Sequence, residues 1–224
     1  MKKNKSNNVI LRFSANNLKK SEFSKLGGTP IDFNVDSDLQ NLISESELII
    51  SAHCKKIFPE QLVDSVRCIN IHPGYNPINL GWFPQVFSIL NEQVAGATIH
   101  VMTRKVDSGP IIDREEVSIE FHENSYNVYQ KIVKLEKKLF RKNLTKILDH
   151  NFKGFDVEEG KFNTLGNFRS LCALNLNSVN TLDYHIRLLK SLTFPGYKNG
   201  YVIVNNMKYF IEVKITPDDS GSAT

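Results

Sequence analysis

The sequence predicts an α/β protein with an open, Rossmann-like sheet, flanking helices and a small β-hairpin near the C-terminus. Two continuous apolar runs, residues 48–52 and 68–71, have the composition of strands that are buried on both faces of a parallel sheet. Helical patterns alternate with the strand patterns, as in βαβ units. Ligands in such folds bind outside the carboxyl ends of the strands, so candidate site residues are expected there.

The first half of the chain alternates strand and helix patterns. β-Branched and apolar residues predict strands at 8–13 and 31–35, ahead of the two buried runs. Apolar residues at helical spacing predict the helices, and Pro59 suits the first turn of one of them. The predicted helices are 14–26, 38–47, 60–65 and 84–91, and a further strand is predicted at 97–101.

The second half contains the longest predicted helix. Residues 111–119 are expected to be extended, and residues 124–148 carry two adjacent apolar rows at helical spacing. Two such rows indicate core packing or a subunit contact. Residues 151–180 are predicted to be rich in loops, and a short helix is predicted to start at Thr181 with Asp183 in its first turn.

The C-terminal part predicts a hairpin. Asn205-Asn206 suits a tight turn because Asn tolerates positive φ, and the strands are predicted at 200–204 and 209–215. We expect three parts: a main domain at 1–150, an extension at 151–216 and a disordered tail at 217–224.

The composition excludes several classes of protein. The 224 residues are 41% hydrophobic and 23% charged, which suits one globular domain with a small appendage. The net charge of +4 is too small to indicate a nucleic-acid partner. No apolar run approaches the length of a membrane span, and we expect no membrane association. Three scattered cysteines indicate reduced thiols in a cytoplasmic protein, and their spacing matches no zinc pattern.

A histidine, an amide and a carboxylate lie at or near strand ends. Asn70 and His72 are two residues apart on one strand, and therefore on the same side of it, and Asp107 lies in a loop after the strand 97–101. An imidazole suits proton transfer near neutral pH, an amide N–H can stabilise an oxyanion, and a carboxylate can fix an imidazole tautomer. Asp107 before Ser108-Gly109 is also typical of a turn, and His100 is interpreted as a satisfied core histidine.

The motifs around these residues resemble a known family. They are Asn70-x-His72, Asp107-x-Gly109 after a Gly-Ala-Thr strand, and the longer runs SAHCKKIFP, VRCINIHPG and HPGYNPINLGWFPQVFSI. The chain resembles the tetrahydrofolate-dependent formyltransferases. It is most similar to the nucleotide-sugar N-formyltransferases that act on dTDP-4-amino-4,6-dideoxyglucose. The resemblance is strong from about residue 48 to residue 116.

The resemblance implies a formyltransferase sheet, a dimer formed through the C-terminal hairpin, and a role in surface polysaccharide (O-antigen) synthesis. The formyl donor would be N10-formyltetrahydrofolate, the acceptor a dTDP-linked amino sugar, and no metal would be needed. The expected catalytic residues are Asn70, His72 and Asp107. The expected substrate- and cofactor-binding residues are His53, Lys55, Gly74, Trp82, Phe83, Gln85, Gly109 and Pro110.

Several alternatives stay open at the level of sequence. Lys55 is equally typical of a solvated lysine, and Trp82 and Phe83 of core aromatics. Leu80 stands where the family usually has an arginine, which leaves the substrate open. The alternative functions are a methionyl-tRNA-type formyltransferase and a non-catalytic homologue that binds a nucleotide sugar or folate.

Overall fold

A computed structural model of the chain describes residues 11–15, 20–31 and 39–218. The described residues divide into two compact units. The first, called the sheet unit here, is drawn from Met1–His72, Ala97–Glu115 and Glu136–Glu159. The second, called the hairpin unit, is drawn from Pro73–Gly96, Glu116–Leu135 and Gly160–Thr224.

The described elements are numbered in chain order. The strands are β1 (Leu11–Ala15), β2 (Thr29–Pro30), β3 (Leu48–Ala52), β4 (Arg67–His72), β5 (Leu80–Gly81), β6 (Ala95–Val101), β7 (Ile111–Val117), β8 (Phe162–Asn163), β9 (Tyr201–Val204) and β10 (Met207–Phe210). The helices are α1 (Lys20–Lys25), α2 (Leu39–Glu45), α3 (Glu60–Ser65), α4 (Pro84–Leu90), α5 (Ser125–Leu148), α6 (Leu165–Cys172) and α7 (Leu182–Leu192).

A six-stranded mixed sheet has the order β2-β1-β3-β4-β6-β7. β1 pairs in parallel with β2 and β3, and β3 pairs in parallel with β4. β4 pairs antiparallel with β6, with Asn70 opposite His100. The predicted α/β class is confirmed, and the register brings the ends of β3 and β4 to one edge of the sheet.

Strand β3 shows why an apolar run predicted a strand that is buried on both faces. All five of its residues are buried, and Leu48, Ile49 and Ile50 are fully buried. A strand that is covered on both faces has no polar side to present, and Ser51 is the one polar residue of β3. β4 begins at Arg67 and continues with the buried apolar residues Cys68 and Ile69, and Asn70 and His72 follow toward its end.

The hairpin unit confirms the predicted β-hairpin and corrects one loop prediction. β9 and β10 pair antiparallel around Asn205 and Asn206, whose φ angles are 48° and 63°. Within the predicted loop-rich stretch, α6 forms after a capping box in which Thr164 and Asn167 satisfy each other's backbone N–H groups. The loop prediction was wrong for the residues of α6, because Thr164 and Asn167 form an N-terminal cap that was not recognised in the sequence.

Two predicted boundaries were wrong: Ser14 and Ala15 end β1 instead of starting the helix predicted at 14–26, and β10 is Met207–Phe210 where the sequence predicted 209–215. The predicted start of β1 at residues 8–10, part of the next helix at 16–19, and the predicted strand at 32–35 with the cap before α2 lie outside the described residues. Thr181 caps α7 as predicted, accepting a hydrogen bond from the backbone N–H of Tyr184. Within the described part of the chain, no helix is long and apolar enough to cross a membrane.

Candidate active site

The end of β4 carries the predicted amide and imidazole. His72 is 4% exposed, and Asn70 is half-buried. Their alternation along the strand places both side chains on one side of it. In the antiparallel pair with β6, Asn70 lies directly opposite His100, so these two side chains are cross-strand neighbours.

Asp107 joins this group from the loop between β6 and β7. Its φ is 55°, in the left-handed region that few residues other than Gly, Asn and Asp adopt. Its Oδ1 accepts a hydrogen bond from Asn70 Nδ2 at 3.2 Å. The same oxygen lies 3.5 Å from His72 Nδ1 and 3.7 Å from His100 Nε2. One carboxylate oxygen therefore meets all three other polar side chains.

His100 holds the amide of Asn70 in one orientation. His100 Nδ1 donates to the carbonyl of Val101 at 2.9 Å, so its Nε2 is the acceptor for Asn70 Nδ2 at 3.2 Å. The two N–H bonds of Asn70 are thus directed to His100 and Asp107. His100 is the satisfied core histidine that the sequence indicated, and it also orients a predicted site residue.

His72 combines a lowered pKa with a ring nitrogen that has no hydrogen-bond partner in the described part of the chain. Burial lowers the pKa of His72, Asp107 opposes that effect, and His100 adds to it. The Asp107 carboxylate beside Nδ1 favours the tautomer that carries its proton there, which leaves a lone pair on Nε2. Among the described residues, Nε2 is buried and has no hydrogen-bond partner. The arrangement is a neutral base with one accepting nitrogen.

Gly109 and Pro110 fix the loop that carries Asp107. A Cβ at Gly109 would lie 1.9 Å from the carbonyl oxygen of Val101, which no side chain tolerates. The backbone N–H of Val101 donates to the carbonyl of Pro110 at 2.9 Å. The close approach that Gly109 permits is therefore to the backbone of β6, and its contact with a ligand stays a prediction.

His53 also lies at this edge of the sheet unit, directly after β3. Its Nε2 contacts the two carboxylate oxygens of Glu136 at 2.8 and 2.7 Å, and the Glu136 side chain is fully buried. Lys55, two residues further on, is exposed. The structure brings His53 to the strand ends and leaves Lys55 at the surface, where a ligand contact stays a prediction.

The other predicted binding residues belong to the hairpin unit. Phe83 is the N-cap residue of α4 and packs on Phe168 with ring centroids 4.3 Å apart, and Trp82 packs on Phe83 at 5.7 Å. Gln85 is 4% exposed and donates to the hydroxyl of Ser125 at 3.3 Å. Phe83 and Gln85 thus have structural roles within this unit.

Gly74, the remaining predicted binding residue, is buried in the hairpin unit. Its role toward a ligand stays a prediction, as do those of Trp82, Phe83 and Gln85. Across the part of the chain that the structure describes, no group of three or more His, Cys, Asp or Glu side chains is arranged to hold a metal ion.

The hairpin unit also contains a buried amide cluster. Asn79 Nδ2 donates to Ser88 Oγ at 3.2 Å and to Gln93 Oε1 at 3.0 Å. Asn163 Nδ2 donates to Asn79 Oδ1 at 3.3 Å, and Ser88 donates to the carbonyl of Val94 at 2.9 Å. These hydrogen bonds join the loop before α4 to β8.

Comparison with known proteins identifies the family. A family model described as "Formyl transferase" matches residues 6–144. This chain belongs to the formyltransferase family. A second family model, described as "N-formyltransferase dimerization C-terminal domain", matches residues 167–217 of this formyltransferase.

Individual relatives support the same family. A dTDP-4-amino-4,6-dideoxyglucose formyltransferase from Mycobacterium tuberculosis is 35% identical over 205 residues, which cover 91% of this chain and 87% of that protein. The structure of a sugar N-formyltransferase from a Shewanella species is 33% identical, has a TM-score of 0.85, and matches 93% of this chain and 98% of that one. A 4-N formyltransferase from Francisella tularensis is 35% identical with a TM-score of 0.83, over 94% and 99% of the two chains.

A more distant structure shares the fold of this formyltransferase. It is an N-formyltransferase from Helicobacter canadensis in complex with folinic acid and dTDP-3-aminofucose. It is 18% identical, with a TM-score of 0.68 over 89% of this chain and 86% of that one.

Two residues of this formyltransferase were missed as candidates by sequence reasoning. Glu136 interrupts an apolar row of α5 that continues through Val133 and Phe140, and an isolated carboxylate in such a row indicates a buried partner. His100 was interpreted as core only, because its link to Asn70 depends on the register between β4 and β6. The carboxylate in the apolar row of α5 could have been noticed in the sequence. The register between β4 and β6 could not be predicted from it.

Proposed function

We propose that this formyltransferase moves a formyl group from N10-formyltetrahydrofolate to the amine of a dTDP-linked amino-dideoxy sugar, with dTDP-4-amino-4,6-dideoxyglucose as the first candidate. The observation that carries the chemical part is the buried, unpartnered Nε2 of His72 beside Asp107. The observation that carries the sugar part is the 35% identity to the mycobacterial dTDP-sugar enzyme across 87% of its length.

His72 is the proposed general base and acid. The neutral sugar amine attacks the formyl carbon, a C–N bond forms, and the carbonyl electron pair moves onto oxygen. Nε2 of His72 takes the proton released by the amine, and the Asp107 carboxylate stabilises the resulting imidazolium. Collapse of the tetrahedral intermediate then restores the carbonyl and breaks the bond to N10, which receives the proton from His72. Proton transfer of this kind contributes about 10²–10⁴-fold to a rate.

Asn70 is the proposed hydrogen-bond donor to the oxyanion. To reach it, Asn70 must first give up one of its present hydrogen bonds. Both of its N–H bonds are directed to protein acceptors, so one must turn from Asp107 or His100 when the oxyanion forms. An oxyanion attracts a donor more strongly than a neutral carbonyl does, so the exchange favours the transition state. Asn70→Ala should therefore lower kcat far more than it raises KM.

The substrates can be tested directly. Purified protein is incubated with N10-formyltetrahydrofolate and dTDP-, UDP- or GDP-linked amino sugars, and the formylated product is measured by mass spectrometry. We expect dTDP-4-amino-4,6-dideoxyglucose to give the highest kcat/KM. Initiator methionyl-tRNA is the comparison substrate, because the matching tRNA enzyme from Ligilactobacillus salivarius is 26% identical over only 55% of its length. Formylation of the tRNA but of no sugar would overturn the proposal.

The proposed donor and compartment follow from the same reaction. The Helicobacter enzyme with the same fold binds folinic acid, a formylated folate, which supports a folate co-substrate here. All three cysteines are free thiols, which agrees with a reducing cytoplasm, where we expect the reaction to occur. The product would supply a glycosyltransferase that builds a surface polysaccharide.

The proposed assembly is a homodimer formed through the C-terminal hairpin. The matched dimerization domain includes β9 and β10, and Ile203 and Met207 on these strands are each 60% exposed. Exposed apolar side chains on a short two-stranded sheet indicate a covered surface. Met207→Glu should convert a dimer to a monomer in sedimentation measurements, and a wild-type monomer would refute the assembly.

A further inference from the structure

A buried carboxylate outside the predicted catalytic group lies beside the site. The Glu136 side chain on α5 is fully buried, and both of its oxygens lie within 2.8 Å of His53 Nε2. Burying a carboxylate is costly unless it is paired, and the contact with His53 offsets part of the cost of burying Glu136 in the sheet unit.

His53 has an unusual backbone at a position next to the site. Its φ is 59°, in the left-handed region that a residue with a Cβ rarely adopts. The parallel register pairs Ala52 with Ile71, so His53 and His72 are the next residues at adjoining strand ends. Strained residues of this kind persist where surrounding contacts hold them, and the carboxylate of Glu136 supplies such a contact.

We propose that Glu136 is a positioning residue for formyl transfer: it anchors the His53 ring at the end of β3 beside His72, and the two residues together set the charge around that base. This inference rests on the proposed function, because it assigns no new reaction and acts through His72. It adds a role for an ion pair that the formyl-transfer chemistry described above does not use.

Four ionisable groups from four elements affect the pKa of His72 through their charge. They are Asp107 from the loop after β6, His100 from β6 itself, Glu136 from α5 and His53 from the end of β3. After burial, which lowers the pKa of His72 most, the charge of Glu136 raises that pKa and a protonated His53 lowers it. Removing one member of the pair should therefore move the pKa of His72 in the direction opposite to removing the other.

The test uses Glu136→Gln, His53→Gln and the double variant. The pKa of the His72 ring is measured by NMR of ¹³C-labelled histidine, assigned by the peak that disappears in His72→Gln. We expect that pKa to fall in Glu136→Gln, to rise in His53→Gln, and to return toward the wild-type value in the double variant. The acid limb of the kcat/KM profile should move in the same directions.

A second measurement separates positioning from folding. Glu136→Ala removes the anchor, and a displaced site should lose about 10–10²-fold in kcat, with KM changed less. Glu136→Gln keeps an oxygen that accepts from His53 and should recover part of this loss. Thermal unfolding of each variant gives the folded fraction by which kcat is corrected.

Two matched controls should leave the titration of His72 unchanged. Glu123 is another buried carboxylate, held by Lys131 at 2.7 Å, and His150 is an exposed histidine. Glu123→Gln and His150→Gln should not move the acid limb. Shifts of the same sign in both pair variants, or no shift in either, would overturn the inference. Because the NMR titration needs no substrate, its outcome is independent of whether any sugar is formylated.

Discussion

Two buried polar clusters among the described residues differ in how completely their hydrogen-bonding groups are satisfied. In the hairpin unit, the hydrogen bonds of Asn79 with Ser88, Gln93 and Asn163 leave no buried nitrogen or oxygen of these side chains without a partner. In the sheet unit, the cluster around Asp107 leaves Nε2 of His72 without one among the described residues.

This difference indicates which cluster can take part in a reaction. A satisfied buried amide network stabilises one conformation of the backbone and offers nothing to a ligand. A buried nitrogen without a partner costs stability unless something binds it, so such a group is retained where a ligand or a proton occupies it. Two clusters of similar residue types therefore predict opposite responses to mutation, in rate for one and in stability for the other.

The largest effect should come from His72→Gln. Glutamine fills a similar volume but cannot exchange a proton near neutral pH, so kcat should fall toward the upper end of the roughly 10²–10⁴-fold range of general acid–base catalysis. Binding of the sugar nucleotide, measured by calorimetry, should change little. An unchanged kcat would show that the unpartnered nitrogen is not used in the reaction.

A smaller loss of rate is expected from Asp107→Asn. Asparagine tolerates the left-handed backbone at this position, so the variant removes the charge and leaves the loop in place. The amide no longer favours the Nδ1–H tautomer of His72, and kcat should fall on the order of 10²-fold. Steady-state kinetics measures the loss, and a drop of less than twofold would remove Asp107 from the mechanism.

The pH dependence of kcat/KM tests the role of His72 in the wild-type enzyme without any substitution. The base form of His72 is needed, and its pKa lies below the ordinary value of 6.5 because burial disfavours the charged ring. The acid limb of kcat/KM should therefore have its midpoint below pH 6.5, and activity should be lost as the pH falls through that midpoint. Asp107→Asn should move the midpoint further down, because the carboxylate raises this pKa. A limb above pH 6.5 in the wild-type enzyme would contradict the assignment.

Local patterns were sufficient to predict the elements that carry the site. The apolar runs of β3 and β4 give two buried neighbouring strands, and the polar residues at the end of β4 identify one edge of the sheet as the candidate site. The Asn205-Asn206 pair gives the hairpin for an equally local reason, because few other residues adopt positive φ.

The contacts that complete the site depend on distant parts of the chain. His53 and Glu136 are 83 residues apart, and only the packing of α5 brings them together. His100 reaches Asn70 through the register of an antiparallel pair inside a largely parallel sheet, and a one-residue slip would turn its side chain to the other face. The residue types could be found from the sequence, but their hydrogen bonds could not.

The smallest effect on rate should come from Asn163→Ala in the satisfied cluster. The variant leaves Asn79 Oδ1 without the hydrogen bond from Asn163 Nδ2 in a buried setting, which should lower the free energy of unfolding by about 1–3 kcal/mol. Because none of the proposed proton-transfer groups is altered, kcat corrected for the folded fraction should match the wild-type value. Denaturant unfolding and steady-state kinetics on the same preparation measure both quantities. A loss of kcat with unchanged stability would mean that the amide cluster also serves the reaction, and the contrast between the two clusters would no longer hold.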